Sequence, residues 1–126
     1  MKIEHVAMWV NDLERMRAFY EIYFKASANE KYTNHHKQFE SYFLTFPDAT
    51  CRLELMRRPD LHGTPRESIG YAHLAFALGS KQAVDTLTSR LQSDGYTLLD
   101  GPRTTGDGYY ESVFFDPEQN KLELTI

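Results

Sequence analysis

Two histidines and two glutamates occupy corresponding positions in the two halves of the sequence. His5 precedes Glu54 by 54 − 5 = 49 residues, and His73 precedes Glu123 by 123 − 73 = 50 residues. Two imidazoles and two carboxylates suit a divalent transition metal and leave one or two coordination positions open for water. A cation would also neutralise two glutamates that otherwise repel each other in a recessed site.

Taken singly, each of these residues is more typical of a polar side chain on the solvent side of a strand. Their repetition in both halves is what predicts a shared metal site. A polar groove without a metal is the alternative.

The segments that carry the four residues form an internal repeat. The letters H-V-A-M-W-V from His5 correspond to H-L-A-F-A-L from His73, and R-L-E-L around Glu54 corresponds to K-L-E-L around Glu123. Side chains alternate between the two faces of a strand, so each His and each Glu is expected on the face opposite the helices. A half of 126/2 = 63 residues is too short to bury a core alone, so the halves are expected to pair into one domain.

The first half begins with the pattern of a strand followed by an amphipathic helix. The strand is predicted over Ile3–Val10, and Asn11 is predicted to cap the helix, with Glu14 reaching back in a capping box. The apolar residues of this helix recur three and four positions apart and form one buried stripe: Leu13, Met16, Phe19, Tyr20, Tyr23 and Phe24.

The rest of the first half reads as a polar irregular segment and a hairpin. Residues 26–37 have no apolar period, and strands are predicted at 39–46 and 50–56 around a turn at 47–49. Residues 57–70 contain two prolines and two glycines and are predicted to be a linker.

The second half is predicted to repeat this order. Its segments are a strand at 71–78, a helix that Ser80 opens and Gly95 closes, an extended segment at 96–99, a loop at 101–108, and strands at 109–115 and 121–125.

The composition excludes several classes of function. The net charge of 14 − 18 = −4 offers no broad basic surface, so no nucleic-acid partner is expected. No apolar stretch approaches the roughly 18 residues of a membrane span, so no membrane partner is expected. Cys51 is the single cysteine and cannot form an intramolecular disulfide, which favours a cytoplasmic location.

The chain resembles the glyoxalase I, bleomycin-resistance and extradiol dioxygenase superfamily over its full length. The resemblance lies in I-E-H-V-A-M-W-V followed by N-D-L-E-R-M-R-A-F-Y, in Y-A-H-L-A-F, and in the ending F-F-D-P-E-Q-N-K-L-E-L. It implies an α+β fold in which two βαβββ modules form a cupped mixed sheet, the vicinal oxygen chelate fold. The single domain 1–126 would then comprise a first module at about 1–57, a linker at 57–70 and a second module at about 71–126.

Within that superfamily the chain is most similar to bacterial-type glyoxalase I, whose four ligands are also His, Glu, His and Glu. The resemblance implies that His5, Glu54, His73 and Glu123 bind Ni²⁺ or Zn²⁺, with Fe²⁺ or Mn²⁺ as further options. It implies a lyase of the lactoylglutathione lyase type, in which the metal stabilises an enediolate. Glu123 corresponds to the carboxylate that moves the proton between two carbons.

Three further residues are predicted to contact a small-molecule substrate. Trp9 stands where the family has a glutathione-recognising arginine, and an indole cannot pair with a carboxylate, so the predicted substrate is a small α-oxygenated carbonyl compound or another thiol adduct. Arg52 could supply a cationic contact on the same face as Glu54, and Tyr71 could line the cleft. Asn120, in a turn that lacks the family's usual glycine, is predicted to take any left-handed conformation.

Two other functions stay open at this point. An extradiol dioxygenase would bind Fe²⁺ through His5, His73 and Glu123, although Glu54 would occupy a position that oxygen or catechol requires. A non-catalytic module that binds an antibiotic or another small molecule would use aromatic stacking and no metal. The family resemblance also implies a homodimer.

Overall fold

A computed structural model describes residues 1–126 as two compact units, Met1–Thr64 and Pro65–Ile126. The boundary between them falls inside the segment 57–70 that the sequence predicts to be a linker. No helix in either unit is long and apolar enough to cross a membrane.

The first unit contains one helix packed on one sheet. Its elements are β1 (His5–Trp9), α1 (Leu13–Phe24), β2 (Ser27–Ala28), β3 (Tyr32–Asn34), β4 (Phe39–Thr45) and β5 (Arg52–Arg57). The strand order is β1-β5-β4-β2, with β3 also paired to β4. Strand β1 runs parallel to β5, whereas β4 and β5 form the predicted antiparallel hairpin.

Helix α1 confirms the predicted stripe but begins one residue later than predicted. Asp12, and not Asn11, is the N-cap: its carboxylate accepts a hydrogen bond from the Arg15 backbone N–H at 3.0 Å. A negatively charged carboxylate at this position also interacts favourably with the positive end of the helix dipole. The Asn11 side-chain amide instead bonds both backbone groups of Gly63, and this ties the start of α1 to the following linker.

The core of the first unit lies between α1 and the inner face of its sheet. Five of the six stripe residues are buried, while Tyr23 is half-buried. They share this core with Tyr42, Leu44, Leu53 and Leu55. The segment 26–37, predicted to be irregular, contains β2 and β3, because both supply backbone hydrogen bonds to the otherwise free edge of β4.

The second unit repeats the architecture of the first. Its elements are β6 (Leu74–Ala77), α2 (Lys81–Ser93), β7 (Leu98–Thr104), β8 (Tyr110–Phe115) and β9 (Lys121–Thr125). The strand order β6-β9-β8-β7 matches that of the first unit, and β6 is parallel to β9 as β1 is to β5. The predicted α+β class with two modules of the βαβββ type is confirmed. In the first module the edge strand is divided into β2 and β3.

Ser80 caps α2 as predicted, and Gly95 follows the helix with φ = 90°. The predicted loop at 101–108 is wrong in its first part, because β7 continues to Thr104 and pairs with β8 across two register shifts. Gly101 makes this possible: its φ is 83°, and a Cβ on it would clash with the Glu111 carbonyl oxygen. Only glycine fits so close to a neighbouring strand.

The turn between β8 and β9 uses a different left-handed residue from the one predicted. Gln119 has φ = 68°, and Asn120 does not take this conformation. Buried Asp116 explains the difference, because its carboxylate accepts hydrogen bonds from the Asn120 side-chain amide and backbone N–H. These hydrogen bonds hold Asn120 at the end of the turn, directly before β9.

Candidate functional site

His5 and Glu54 meet on one face of the first sheet. In the parallel register of β1 and β5, Ala7 lies beside Glu54, so His5 is a diagonal neighbour of Glu54 on the same face. The His5 Nε2 and Glu54 Oε2 atoms are 3.8 Å apart. The glutamate side chain is only 14% exposed, and the histidine is 40% exposed.

His73 and Glu123 form the same arrangement in the second unit. Ala75 lies beside Glu123 in the parallel register of β6 and β9, and His73 directly precedes β6. The His73 Nε2 and Glu123 Oε2 atoms are 3.5 Å apart, and the exposed fractions of the two side chains are 43% and 18%. The sequence repeat therefore corresponds to a repeated His and Glu pair.

Both glutamates of these pairs lack a lysine or arginine partner. The only ion pairs within 4.0 Å that involve Glu54 and Glu123 are those with the two histidines. More exposed glutamates such as Glu14 and Glu67 do have a lysine partner. A mostly buried carboxylate beside an imidazole, with no positive side chain to offset it, fits the donor chemistry of a divalent cation.

The structure thus brings the four predicted ligands together as two pairs, one in each unit. Nowhere in the chain do three or more His, Cys, Asp or Glu side chains form a group arranged to hold a metal. Binding of one ion by all four residues stays a prediction.

The surroundings of His5 include a second carboxylate and a cation. The His5 Nδ1 atom lies 2.5 Å from a carboxylate oxygen of Glu4, and Arg52 forms an ion pair with the other oxygen of Glu4. The Arg52 guanidinium stacks 4.1 Å from the centre of the Phe43 ring, and Phe43 meets the His5 ring edge to face at 5.3 Å. The hydrogen bond with His5, and then Arg52, holds the pKa of Glu4 below its ordinary value of 4.5.

The surroundings of His73 are different. The residue before it is Ala72, which has no carboxylate. Lys121 stands two residues before Glu123, as Arg52 does before Glu54, and it pairs with Glu67. Val113 lies opposite Glu123 in the sheet, where Phe43 lies opposite Glu54.

Sequence reasoning missed Glu111, a third carboxyl in the second unit. Glu111 lies on β8 and hydrogen-bonds Glu123; burial, followed by the neighbouring Glu123 carboxylate, raises the pKa of Glu111 above 4.5. By register its counterpart in the first unit is Ser41, so the comparison of the two halves could not find it. The alternation of β8 is the available signal, because Glu111 and Val113 share a strand face.

Trp9 lies on the same face of β1 as His5 and is 45% exposed. The Phe39 ring meets the indole edge to face at 6.0 Å, and Tyr32 lies 6.1 Å from Phe39. The Arg58 guanidinium lies 5.3 Å from the centre of the indole ring. Trp9, Phe39 and Tyr32 thus form a partly exposed aromatic surface with a cation beside it.

The other two residues that are predicted to contact substrate, Arg52 and Tyr71, have different surroundings. Arg52 lies on the Glu54 face, with its guanidinium engaged by Glu4 and Phe43. Tyr71 precedes β6 and is 99% exposed, and the linker residue Ile69 is also fully exposed.

Comparison with known proteins gives a family and a fold. A model described as the Glyoxalase/Bleomycin resistance protein/Dioxygenase superfamily matches residues 2–124. The uncharacterized protein YqjT of Bacillus subtilis is 30% identical over 129 residues, which cover 97% of this chain and 96% of that protein.

Two solved structures illustrate the fold. The trypanothione-dependent glyoxalase I of Leishmania major has a TM-score of 0.79 at 19% identity, covering 99% of this chain and 86% of that one. The fosfomycin resistance protein FosX of Listeria monocytogenes, as a mutant complexed with Mn(II) and 1S,2S-dihydroxypropylphosphonic acid, has a TM-score of 0.76 at 21% identity, covering 98% and 90%. The match of the family model over residues 2–124 shows that the chain belongs to the glyoxalase, bleomycin resistance protein and dioxygenase superfamily.

Proposed function

We propose that this protein is a metal-dependent lyase of the glyoxalase type. The observation that carries the proposal is the pair of mostly buried glutamates, each beside a histidine and neither beside a lysine or arginine. The proposed ligands of a divalent metal are His5, Glu54, His73 and Glu123. When bound, the metal would polarise two oxygens of the substrate and stabilise negative charge that develops on them.

We propose Ni²⁺ or Zn²⁺ as the metal, with Fe²⁺ or Mn²⁺ as further options. Nitrogen and oxygen donors in equal number suit these ions better than they suit Ca²⁺ or Mg²⁺, which prefer oxygen alone. FosX, which shares the fold, was crystallised with Mn(II), so ions of this class are compatible with the fold.

Glu123 is the proposed proton carrier. A carboxylate in this role removes a proton from one carbon and returns it to the next. Glu111 hydrogen-bonds Glu123. When the Glu123 carboxylate leaves a ligand position to move a proton, Glu111 would remain its hydrogen-bond partner. Glu54 has no such partner. This inequality between the halves supports Glu123 over Glu54.

The proposed substrate is a small α-oxygenated carbonyl compound or its adduct with a thiol other than glutathione. Trp9 with Phe39 and Tyr32 offers an aromatic surface on the His5 face, and an indole has no charge with which to bind the carboxylates of glutathione. The Leishmania major enzyme is trypanothione-dependent, and we likewise propose a different thiol for this chain. Tyr71, at the exposed start of the second module, is a further proposed contact.

The proposal is tested first by metal analysis. Protein purified without chelators is expected to contain close to one divalent ion per four-ligand set by mass spectrometry. Glu123→Gln is expected to abolish lyase activity with methylglyoxal and candidate thiols, while Glu30→Gln, a glutamate outside both pairs, is expected to leave it unchanged. Absence of metal, or full activity of the Glu123→Gln protein, would refute the proposal.

The same preparations decide between this function and its alternatives. Loading with Fe²⁺ without oxygen, followed by a catechol cleavage assay, would identify an extradiol dioxygenase. Binding of an aromatic antibiotic by metal-free protein, with no turnover, would identify a binding module.

We further propose a homodimer in the cytoplasm, with which the single half-buried Cys51 is compatible.

A further inference from the structure

We propose that Glu4, Arg52 and Phe43 are positioning residues that hold His5 ready to donate Nε2 to a metal, and that His73 has no such support. This inference rests on the proposed metal site for its purpose. Its structural part concerns the metal-free protein alone.

The four side chains form a closed ring of contacts around His5. Glu4 bonds the His5 Nδ1 atom at 2.5 Å with one oxygen and pairs with Arg52 through the other. Arg52 lies over the Phe43 ring at 4.1 Å, and Phe43 returns to the edge of the His5 ring at 5.3 Å. Each member therefore has two partners within the ring.

The ring determines which nitrogen of His5 is available. A carboxylate only accepts hydrogen bonds, so the short contact requires that His5 Nδ1 carry the proton. The lone pair of the neutral imidazole then lies on Nε2, the atom 3.8 Å from Glu54. A carboxylate that fixes the tautomer of a metal-binding histidine in this way also increases its basicity as a ligand.

Closure of the ring compensates for its exposure. The Glu4, His5 and Arg52 side chains are between 35% and 54% exposed, and an isolated ion pair at such a position contributes little. In a ring, however, each contact already restricts the rotamers of its two side chains, so the next contact forms at a smaller cost in conformational entropy. The expected effect is orientation of His5 more than stability of the fold.

The second unit lacks the three residues that contact or support His5 in this ring. Ala72 replaces Glu4 before the histidine, Val113 replaces Phe43, and Lys121 in the place of Arg52 pairs with Glu67. The two histidines of the repeat are therefore unequal: a carboxylate contacts Nδ1 of His5, whereas the residues that correspond to Glu4, Arg52 and Phe43 do not provide this contact for His73.

Nitrogen-15 NMR of the metal-free protein tests the ring directly. In the wild type at a pH where His5 is neutral, Nδ1 is expected to carry the proton, with the His5 signals assigned through His5→Gln. Glu4→Ala is expected to move His5 toward the Nε2–H tautomer that a free imidazole prefers, and Arg52→Met is expected to do so partly. An unchanged tautomer in the Glu4→Ala protein would overturn the proposal.

A matched control comes from the other unit. Glu67→Ala removes the partner of Lys121, which corresponds to removing Glu4 from Arg52, and the hydrogen bond and ion pair of Glu67 are with Lys121 and not with His73. It is expected to leave the tautomers of His5 and His73 unchanged. A shift of His5 in this variant as large as that in Glu4→Ala would also overturn the proposal.

Titration with Zn²⁺ measures the consequence for metal binding. Glu4→Ala is expected to weaken binding about tenfold, the lower end of the range for the loss of such a partner because the ring is partly exposed. Glu67→Ala is expected to change affinity less than twofold. If Glu4→Ala shifts the tautomer of His5 but leaves the affinity for Zn²⁺ unchanged, the proposed role of the ring in metal binding is refuted. If the wild type binds no Zn²⁺, Ni²⁺, Fe²⁺ or Mn²⁺, the proposed function fails instead, and the tautomer alone decides whether the ring positions His5.

Discussion

A buried pair of hydroxyls joins α2 to β8, and its disruption should destabilise the second unit by a calculable amount. Thr88 Oγ1 and Ser112 Oγ are 2.7 Å apart, and the two residues are 2% and 0% exposed. Glu111, the neighbour of Ser112 on β8, faces the opposite side of the strand. The hydroxyl pair therefore aligns the helix with the strand that carries Glu111. The perturbation is Thr88→Val, which replaces the hydroxyl with a methyl group of similar size.

The expected loss follows from the geometry. Because the volume is conserved, no cavity forms, and the cost is that of leaving the Ser112 hydroxyl buried without a partner, about 1–3 kcal/mol. Complete burial of Ser112 places the expected value near 2 kcal/mol. Ser112→Ala should cost less, about 1 kcal/mol, because Thr88 lies in a helix and its hydroxyl can turn to the carbonyl four residues earlier. The double variant should lose less than the sum of the two single losses.

Urea unfolding followed by far-UV circular dichroism measures these differences at an unchanged slope of free energy on urea concentration. Thr86→Val, on the exposed face of the same helix, is the matched control and is expected to change the unfolding free energy by less than about 0.5 kcal/mol. If Thr88→Val costs no more than Thr86→Val, or if the two single losses simply add, the reasoning from the buried pair is refuted.

Three other predictions concern the turn in β7, the metal and pH. Gly101→Ala should destabilise the protein by about 2 kcal/mol or more in urea unfolding, because φ is 83° and the new Cβ would meet the Glu111 carbonyl, whereas Gly106→Ala, with nothing within 4 Å, should cost far less. Glu54→Gln should weaken Ni²⁺ or Zn²⁺ binding at least tenfold by calorimetry, and equal affinity would remove Glu54 from the ligand set. The hydrogen bond from Lys31 holds the pKa of Glu14 below 4.5, so its stabilisation is present near pH 7 and is lost as pH falls through the lowered pKa. Glu14→Gln should therefore cost less than about 1 kcal/mol at pH 7 and nothing near pH 2, and a constant deficit at both pH values would contradict this assignment.

The elements with strong local patterns were predictable from the sequence. The stripe of α1, the Ser80 cap of α2 and the two hairpins follow from short-range periodicity and capping chemistry, and all four are present. The predicted N-cap of α1 is wrong by one residue, because Asn11 and Asp12 are both good capping residues. Contact with Gly63, 52 positions away, engages Asn11 elsewhere.

The errors share a physical cause, which is backbone pairing between segments distant in sequence. Strands β2 and β3 are only two and three residues long and have no alternating apolar pattern, and they form by pairing with the edge of β4. Strand β7 continues through Gly101 and Pro102, residues that normally end a strand, because β8 accepts the pairing across two register shifts. Neither pattern is visible in a window of ten residues.

By itself, the sequence determined the repeat, the class of fold and the two pairs of metal-binding candidates, because residue type and alternation act within each strand. Only the tertiary structure decided what surrounds those candidates. The parallel registers of β1 with β5 and of β6 with β9 bring each histidine to its glutamate. Other strands of each sheet then give His5 the contact of Phe43, over which Arg52 lies, and give Glu123 the contact of Glu111. A repeat in sequence predicts equal halves, whereas the neighbours that packing supplies make them unequal.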